Sequence, residues 1–403
     1  MKEKNISIVA VLFAILSAMA IGQADTTLVS SSIPTIIALL KYILALYVGL
    51  YLVINHIDFS GTVRYRIMAY TIVILLNIIH PYDNFNKMAI ISSIPMFVFC
   101  LLSDRVFIRS FYIFRKFLIV ISFISIVIYL DFLIGLGIPH STVPYYGSQG
   151  VYVNYLLSYL LLDEYGLRSC GFFNEPGYFG TILALVLIAS RLDYKKKGNI
   201  VMFIAGILTL SMAFFALIFM AGFFFMLKNW KTRVLSLALL ATFFYVVNNV
   251  QFSSPEVNHV IERFQYDEDT GGFKGDNRKT EAFNQVFEQF DRSQNTLFGY
   301  GTGYYASLEM QGVAVYKTQI LDWGYIGFII TYGLLVFCSF YTARKSRDAL
   351  VFVTCFTVSI YQRPNIFTFV YILVLFGGVL SLINEMSRNN LIAVRNKVNK
   401  TFE

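Results

Sequence analysis

Apolar residues in this chain run in long blocks separated by short polar clusters, and the blocks approach the ~20 residues that a helix needs to cross a hydrocarbon core. They predict helical spans near 6–22, 33–54, 66–80, 88–102, 117–138, 176–190, 200–211, 212–227, 234–250, 320–342, 349–361 and 366–383. The stretch 200–227 admits two readings, one long tilted helix or two short helices turning near Thr209-Leu-Ser211. Charge decides between them. Basic groups at 195–197 and 228–233 flank the stretch, and Lys and Arg collect on the cytoplasmic side of membrane proteins. Only a hairpin keeps both groups there. The expected fold is therefore an all-α integral membrane protein, a single polytopic domain over 1–403 with about twelve transmembrane helices and both termini cytoplasmic.

The whole charge pattern agrees with this threading. Counting the span-edge residues Arg66 and Asp322 with their adjoining segments, those placed inside carry 22 Lys and Arg against 7 Asp and Glu, whereas those placed outside carry 9 against 16. Two outside segments are too long to be connectors. In the first, 139–169, the aromatic-rich stretch from Tyr152 to Leu162 is expected to lie in the interface as a short amphipathic helix. The second, 251–319, is of a length that is usually functional or disordered. After Asp276, a residue type suited to capping, Phe283, Val286, Phe287 and Phe290 recur at helical spacing. The opposite stripe of that helix is Arg278, Glu281, Gln285, Glu288 and Arg292, and the Gly-rich run Gly299-Tyr-Gly-Thr-Gly303 ends it.

Composition removes the soluble alternatives. Hydrophobic residues make up 57% of the 403 and charged residues 14%, against about 25% charged in soluble domains. The formal net charge of +8 does not point to nucleic acid, because the bases sit in short inter-span clusters such as Arg191-Leu-Asp-Tyr-Lys-Lys-Lys197. Four cysteines supply no disulfide framework, and His56, His80, His140 and His259 show no metal-ligand spacing. Lys2 and Lys4 before an apolar run ending in Ala18-Met-Ala20 imitate a signal peptide. The many spans that follow favour an uncleaved first span.

Chemistry concentrates in Arg168-Ser-Cys-Gly-Phe-Phe-Asn-Glu-Pro-Gly-Tyr-Phe-Gly180, at the outer mouth of the sixth span. Charges at the edge of hydrocarbon are costly unless paired or functional. Pro176 suits the first helical position, which puts Glu175 at the cap, where the helix dipole favours a carboxylate. Two readings stay open: Arg168 and Glu175 anchor and cap the span, or they form a reaction site. Gly299-x-Gly-x-Gly303 follows no strand and reads as a flexible turn rather than a phosphate cradle. The acidic, Gly-rich stretch 267–276 lacks calcium-loop spacing and reads as a lid or linker. Lys41 and Asp131, inside spans, are expected to pair with each other or face a cavity.

Arg-x-x-Gly-x-Phe-x-Glu-Pro opening a central span resembles the Wzy-type O-antigen and capsule polymerases and the related O-antigen ligases. Further features follow in the same order: a Lys-rich turn, the Thr209-x-Ser211 hairpin, an Arg-bearing helix in a large outer loop, Leu297-Phe-Gly-Tyr-Gly-Thr-Gly303, and a span opening Asp322-Trp-Gly-Tyr-Ile-Gly327. The resemblance covers about 165–345. Ligases of this family place a His shortly before the span after the large loop; here Val315-Tyr-Lys-Thr-Gln319 has none, which favours a polymerase.

The resemblance implies a glycosyltransferase of the bacterial cytoplasmic membrane. Its substrates would be undecaprenyl-diphosphate-linked oligosaccharides, with membrane lipid and a chain-length regulator protein as partners and no nucleic acid. The sugar hydroxyl of a new unit is the nucleophile, so the site needs cations for the departing diphosphate and a carboxylate for the hydroxyl proton. Arginine's planar fork suits phosphate. Arg168 and Glu175 are the expected catalytic pair. Arg168, Arg278, Arg292 and Arg363 are the expected diphosphate ligands, and Tyr304 and Tyr305 the expected sugar platforms. For Arg278 and Arg292, ion pairing with Glu281 and Glu288 at helical spacing is the structural alternative. No metal and no cofactor is expected. The rival readings are a ligase, a flippase and a secondary transporter; the last is disfavoured because no two similar halves are visible.

The charge asymmetry yields a first test. In intact cells, a cysteine at Ser253 should react with a membrane-impermeant thiol reagent and one at Lys196 should not; outside labelling at Lys196 would overturn the threading.

Overall fold

The computed structural model describes residues 3–22, 32–55, 61–82, 87–144, 150–155, 158–163, 166–226, 234, 238, 241–242, 245–250, 258, 261–262, 264–267, 272–273, 281–308, 310, 316–364 and 366–401. Most of these are helical. The helices are α1 (Glu3–Gly22), α2 (Ser32–Asn55), α3 (Val63–Ile79), α4 (Lys87–Cys100), α5 (Asp104–Ile134), α6 (Pro176–Ala189), α7 (Lys197–Leu208), α8 (Met212–Met226), α9 (Glu281–Asp291), α10 (Lys317–Ala343), α11 (Arg347–Ile360) and α12 (Phe369–Thr401). Three segments, Asp104–Ile134, Lys317–Ala343 and Phe369–Ser387, are long and apolar enough to cross a membrane, and α6, α7 and α8 are apolar but shorter. Of the expected span at 234–250, residues 234, 238, 241–242 and 245–250 are described, and the expected cap at Asp276 lies outside the described residues.

The helices form a bundle whose outer face is apolar. On α2, Leu39, Ile43, Leu46, Leu50 and Val53 are exposed at helical spacing, and on α5 Val120, Phe123, Val127 and Leu130 are too. Such stripes suit lipid and would be a liability in water. The centre belongs to α6, hydrophobic all round and buried at every position except Tyr178, as expected of a helix surrounded by others. The 200–227 hairpin is present. It turns at 209–211, where Leu210 takes a left-handed φ of 47° and the Ser211 amide donates to Thr209 Oγ1 at 3.2 Å.

Basic segments meet at one end of the bundle. Arg191 pairs with Asp348 at 2.7 Å, Arg115 donates to Asn199 Oδ1 at 2.7 Å, and Arg347 donates to the Phe224 carbonyl at 2.7 Å. Arg66 of α3 is fully buried. It pairs with Asp104 at 3.0 Å, donates to the Cys100 carbonyl and lies 3.9 Å from the Phe107 ring centroid.

The opposite end departs from the all-α expectation. Instead of an interfacial helix over 152–162, an antiparallel four-stranded meander runs β1 (Ser141–Pro144), β2 (Val151–Asn154), β3 (Tyr159–Asp163) and β4 (Gly166–Gly171). Branched and aromatic residues favour strands, and the Asn154-to-Ser158 connection cuts the run short of a helix. Both faces are apolar: Tyr152, Tyr159, Leu161 and Cys170 cluster on one, while Val153, Tyr155 and Leu160 meet Ile128 of α5 on the other. Polar contacts fix the sheet to α5. Asp131, expected to pair with Lys41 or face a cavity, accepts from the Tyr155 hydroxyl at 2.9 Å and the Ile138 amide at 3.1 Å. Burial and Asp131 push the Tyr155 hydroxyl up to about 12, so it stays a donor at neutral pH.

The segment between α9 and α10 is anchored by glycines. Gly299 (φ +82°) and Gly324 (φ +68°) face each other so closely that a Cβ on Gly299 would stand 2.4 Å from the Asp322 carbonyl and one on Gly324 would stand 2.3 Å from the Leu297 carbonyl. Gly324 breaks the helical backbone of α10. Beyond it, Thr302 donates to the His80 carbonyl at 2.9 Å and accepts from the Tyr82 amide at 3.2 Å. The expected flexible turn is thus a fixed clip. In the stretch read as a lid or linker, Tyr266–Asp267 pairs with Gly272–Phe273 as a two-stranded ribbon.

Close packing at the hairpin makes a stability prediction. A Cβ at Gly180 would stand 2.8 Å from both Ser211 Cβ and Thr209 Oγ1, whereas one at Gly222 meets nothing within 4 Å. Gly180→Val should lower the thermal midpoint of the detergent-solubilised protein, consistent with ~1–3 kcal/mol of overpacking. Gly222→Ala should leave it unchanged or raised. Equal midpoints for both variants would refute the packing.

Candidate functional site

The site begins at the N-terminal mouth of α6. Gly171 closes β4 with φ +58° and lies against the Phe179 ring, while Phe173 stacks on Phe179 at 5.1 Å. The Tyr152 hydroxyl donates to the Asn174 carbonyl. These contacts deliver Glu175 to the N-cap in extended conformation (φ −142°, ψ 142°), with Pro176 at the first helical position. The cap is made by backbone alone: the Glu175 carbonyl accepts from Tyr178 and Phe179 at 3.2 Å each. Its carboxylate makes no cap bond. It pairs instead with Arg363, 188 residues away.

Arg363 is presented by the turn after α11, its amide bonded to the Ser359 carbonyl at 2.9 Å. Tyr332 steadies the turn by donating to the Pro364 carbonyl. The guanidinium lies 5.8 Å from the Tyr178 ring centroid, and Tyr178 stacks on Tyr371 at 5.6 Å and 7°. Burial opposes its charge, but Glu175, Tyr371 and Tyr178 outweigh burial and hold the guanidinium above its ordinary value. Arg363 is nearly enclosed, its side chain 12% exposed, while Glu175 at 37% is the more open partner.

Arg168 stands on β4 opposite Leu161. It pairs with Asp163 at 3.3 Å, and its Nε donates to the Thr209 carbonyl in the hairpin turn at 3.3 Å. Asp163 was not singled out by the sequence; the β3–β4 hairpin that brings it to Arg168 is what the helical reading of this loop conceals. Between these groups lies Cys170, whose thiol burial pushes up; the charges of Arg168, Glu175 and Asp163 all reach it. The structure thus gathers Arg168, Glu175 and Arg363 at one mouth.

Two further polar atoms there are buried and lack a hydrogen-bond partner among the described residues, Asn174 Oδ1 and Arg363 Nε; Ser169 Oγ is likewise unpaired among them but lies on the α5-facing side of the sheet, opposite Leu160. Buried polar groups are nearly always satisfied by protein or water. The amide oxygen can accept and the guanidinium nitrogen can donate, so the mouth has capacity for a polar, oxygen-rich ligand. Small polar side chains flanking Arg168 and Glu175 in sequence were the available signal for Ser169 and Asn174.

The remaining candidates lie elsewhere. Tyr304 and Tyr305 open a one-turn helix, Tyr304–Ser307, capped by Asp322, which accepts from the Gly303 and Tyr305 amides at 3.0 and 2.8 Å. Tyr304 packs on Tyr300 at 4.3 Å and edge-on to Tyr82 at 5.1 Å. Tyr305 meets Phe283 of α9 and donates to the Met310 carbonyl at 3.2 Å. Burial raises both hydroxyls above their ordinary range. Phe283, Phe287 and Phe290 are buried in this cluster, as their spacing predicts. Arg292, just past α9, is exposed, and no ion pair among the described residues includes it. Arg278 lies outside the described residues. A contact between Tyr316 and Tyr361, 5.6 Å between ring centroids, joins this cluster to the Arg363 turn.

No protein-family model matches the chain, and neither a curated protein nor a solved structure matches it significantly.

The Glu175–Arg363 pair predicts non-additivity. In a double-mutant cycle of Glu175→Gln and Arg363→Gln, thermal unfolding should report a coupling of about 0.5–3 kcal/mol. Strictly additive losses would mean that the two side chains do not interact.

Proposed function

We propose that this chain is a polymerase of lipid-linked surface polysaccharide, acting at the outer face of a bacterial cytoplasmic membrane through which it passes about twelve times with both termini inside. The observation that carries the reading is the meeting of Glu175, Arg363 and Arg168 at the mouth of α6, beside buried polar atoms with hydrogen-bonding capacity to offer. Arg363 paired with Glu175 and Arg168 paired with Asp163 offer two cations for a departing diphosphate and, in Glu175, a carboxylate for a hydroxyl proton.

In this reading a sugar hydroxyl of the incoming undecaprenyl-diphosphate-linked unit attacks the anomeric carbon of the growing chain. The new glycosidic C–O bond forms as the bond to the carrier diphosphate breaks. The hydroxyl proton passes to Glu175, and the charge arriving on the diphosphate is met by Arg363 and Arg168, with Arg278 and Arg292 contributing from the loop. Asn174 Oδ1 is suited to accept from a sugar hydroxyl. Tyr304 and Tyr305, packed among aromatic neighbours, serve the glycan only at their remaining open edges. A chain-length regulator would act on this protein from outside the site.

Because Glu175 is already paired with Arg363, the carboxylate sits close to the cation that the diphosphate needs. Diphosphate bound by Arg363 weakens that pair and frees Glu175 to take a proton. Glu175→Gln should leave abundance in the membrane normal and collapse the surface-glycan ladder to single repeats, since removing a positioned base costs ~10²–10⁴-fold in rate. Arg168→Lys, which keeps charge but loses the fork, should shorten chains as well. Normal ladders from a normally abundant Glu175→Gln protein would end the assignment. Gene deletion that leaves carrier-linked polymer would indicate a ligase instead, and loss of every surface repeat a flippase.

A further inference from the structure

The 294–298 turn, between α9 and the glycine clip, presents two large apolar side chains to the outside: Leu297 is 54% exposed and Phe298 63%. They are held rigidly. The Leu297 carbonyl accepts from the Ile326 amide at 3.0 Å, the Gly299 amide bonds back to Asn295, and the Tyr300 and Gly301 amides donate to the Leu321 and Asp322 carbonyls at 2.8 and 3.0 Å. The Gly299–Gly324 backbone contact leaves no room for sliding. The turn is therefore fixed in height against α10.

What lies beneath it is the exposed stripe of that helix. Ile326, Ile329 and Ile330 follow at the spacing of one helical face, and Phe337 and Tyr341 continue the exposed apolar surface toward the other end. The helix is one of those long and apolar enough to cross a membrane. Leu297 and Phe298 extend this stripe upward by a loop's width. We propose that they form a wedge inserted into the boundary between headgroups and acyl chains of the bilayer, anchoring the outer loop and α9 to the membrane. Continuity with the stripe of α10 argues for bilayer lipid over a protein partner, because a partner covering the turn would also have to cover Ile329, 63% exposed one turn along. A Leu-Phe pair suits that depth. The inference does not depend on the reaction proposed above.

The test uses the full chain in carrier-free phospholipid vesicles, with an environment-sensitive fluorophore on a single introduced cysteine. Cys100, Cys170, Cys338 and Cys355 are all buried, and omission of the new cysteine sets the background. Phe298→Cys is compared with Ala306→Cys, exposed in the same loop, and Phe337→Cys, exposed on the span. Leu297→Cys provides a second position should Phe298→Cys express poorly. At 297 or 298 we expect blue-shifted emission, strong quenching by a spin label on a shallow acyl carbon, and several-fold less quenching by aqueous iodide than at 306. Iodide quenching equal to that at 306 would overturn the wedge. Protection from both quenchers would also overturn it, since it would place protein there.

Discussion

A helix buried on every side can carry charge only at its ends, and α6 imposes that rule on the whole bundle. Its interior is packed without a polar side chain except Thr181, which bonds to its own Gly177 carbonyl. Charged residues therefore collect at its two mouths. At one, Arg191 and Asp348 tie basic loops together; at the other, Glu175 meets Arg363 and Arg168 meets Asp163. Around so enclosed a helix, an unpaired ion would be expensive. The pairing of each cation at the α6 mouth with a carboxylate is a condition of that burial, whatever chemistry is added to it.

The bundle was legible because its signals are local. Apolar runs predict the helices, Pro176 predicts the start of α6, and the Thr209-Leu-Ser211 hairpin follows from the charges on either side of it. The amphipathic α9 follows from the spacing of Phe283, Phe287 and Phe290. The sheet was not legible as a sheet. Its strands are four to six residues long, and a run from Tyr152 to Leu162 with two apolar faces has no clean period of either kind. What distinguishes strand from helix there is pairing with neighbours, which is a property of the fold.

Of the charged residues that meet at the α6 mouth, the sequence pointed to Arg168, Glu175 and Arg363 but not to Asp163, and not to which of them pair. Arg168, Glu175 and Arg363 each stood out as a charge at the edge of an apolar segment. That Glu175 would choose Arg363 over Arg168 depends on how the turn after α11 is aimed, and aiming is set by long-range contacts such as Tyr332 with the Pro364 carbonyl. The glycine run misled for a related reason. Positive φ angles read as freedom in a sequence, but at Gly299 and Gly324 they are the means by which two backbones touch.

The short hairpin carries a consequence for the landscape of the membrane around it. At about 1.5 Å per residue, the twelve residues of α7 reach about 18 Å, well short of a hydrocarbon core about 30 Å thick. In the proposed threading the turn at 209–211 would therefore end below the level of a full crossing, as a floor rather than a rim. Irregular backbone at such depth is tolerated only where protein or a wet cavity shelters it. Here Arg168 reaches down to the Thr209 carbonyl, and both Thr209 and Ser211 are buried. In the proposed threading the α6 mouth would then sit in a basin, and a charged headgroup reaching it from the leaflet would descend toward the middle of the bilayer instead of rising away from it.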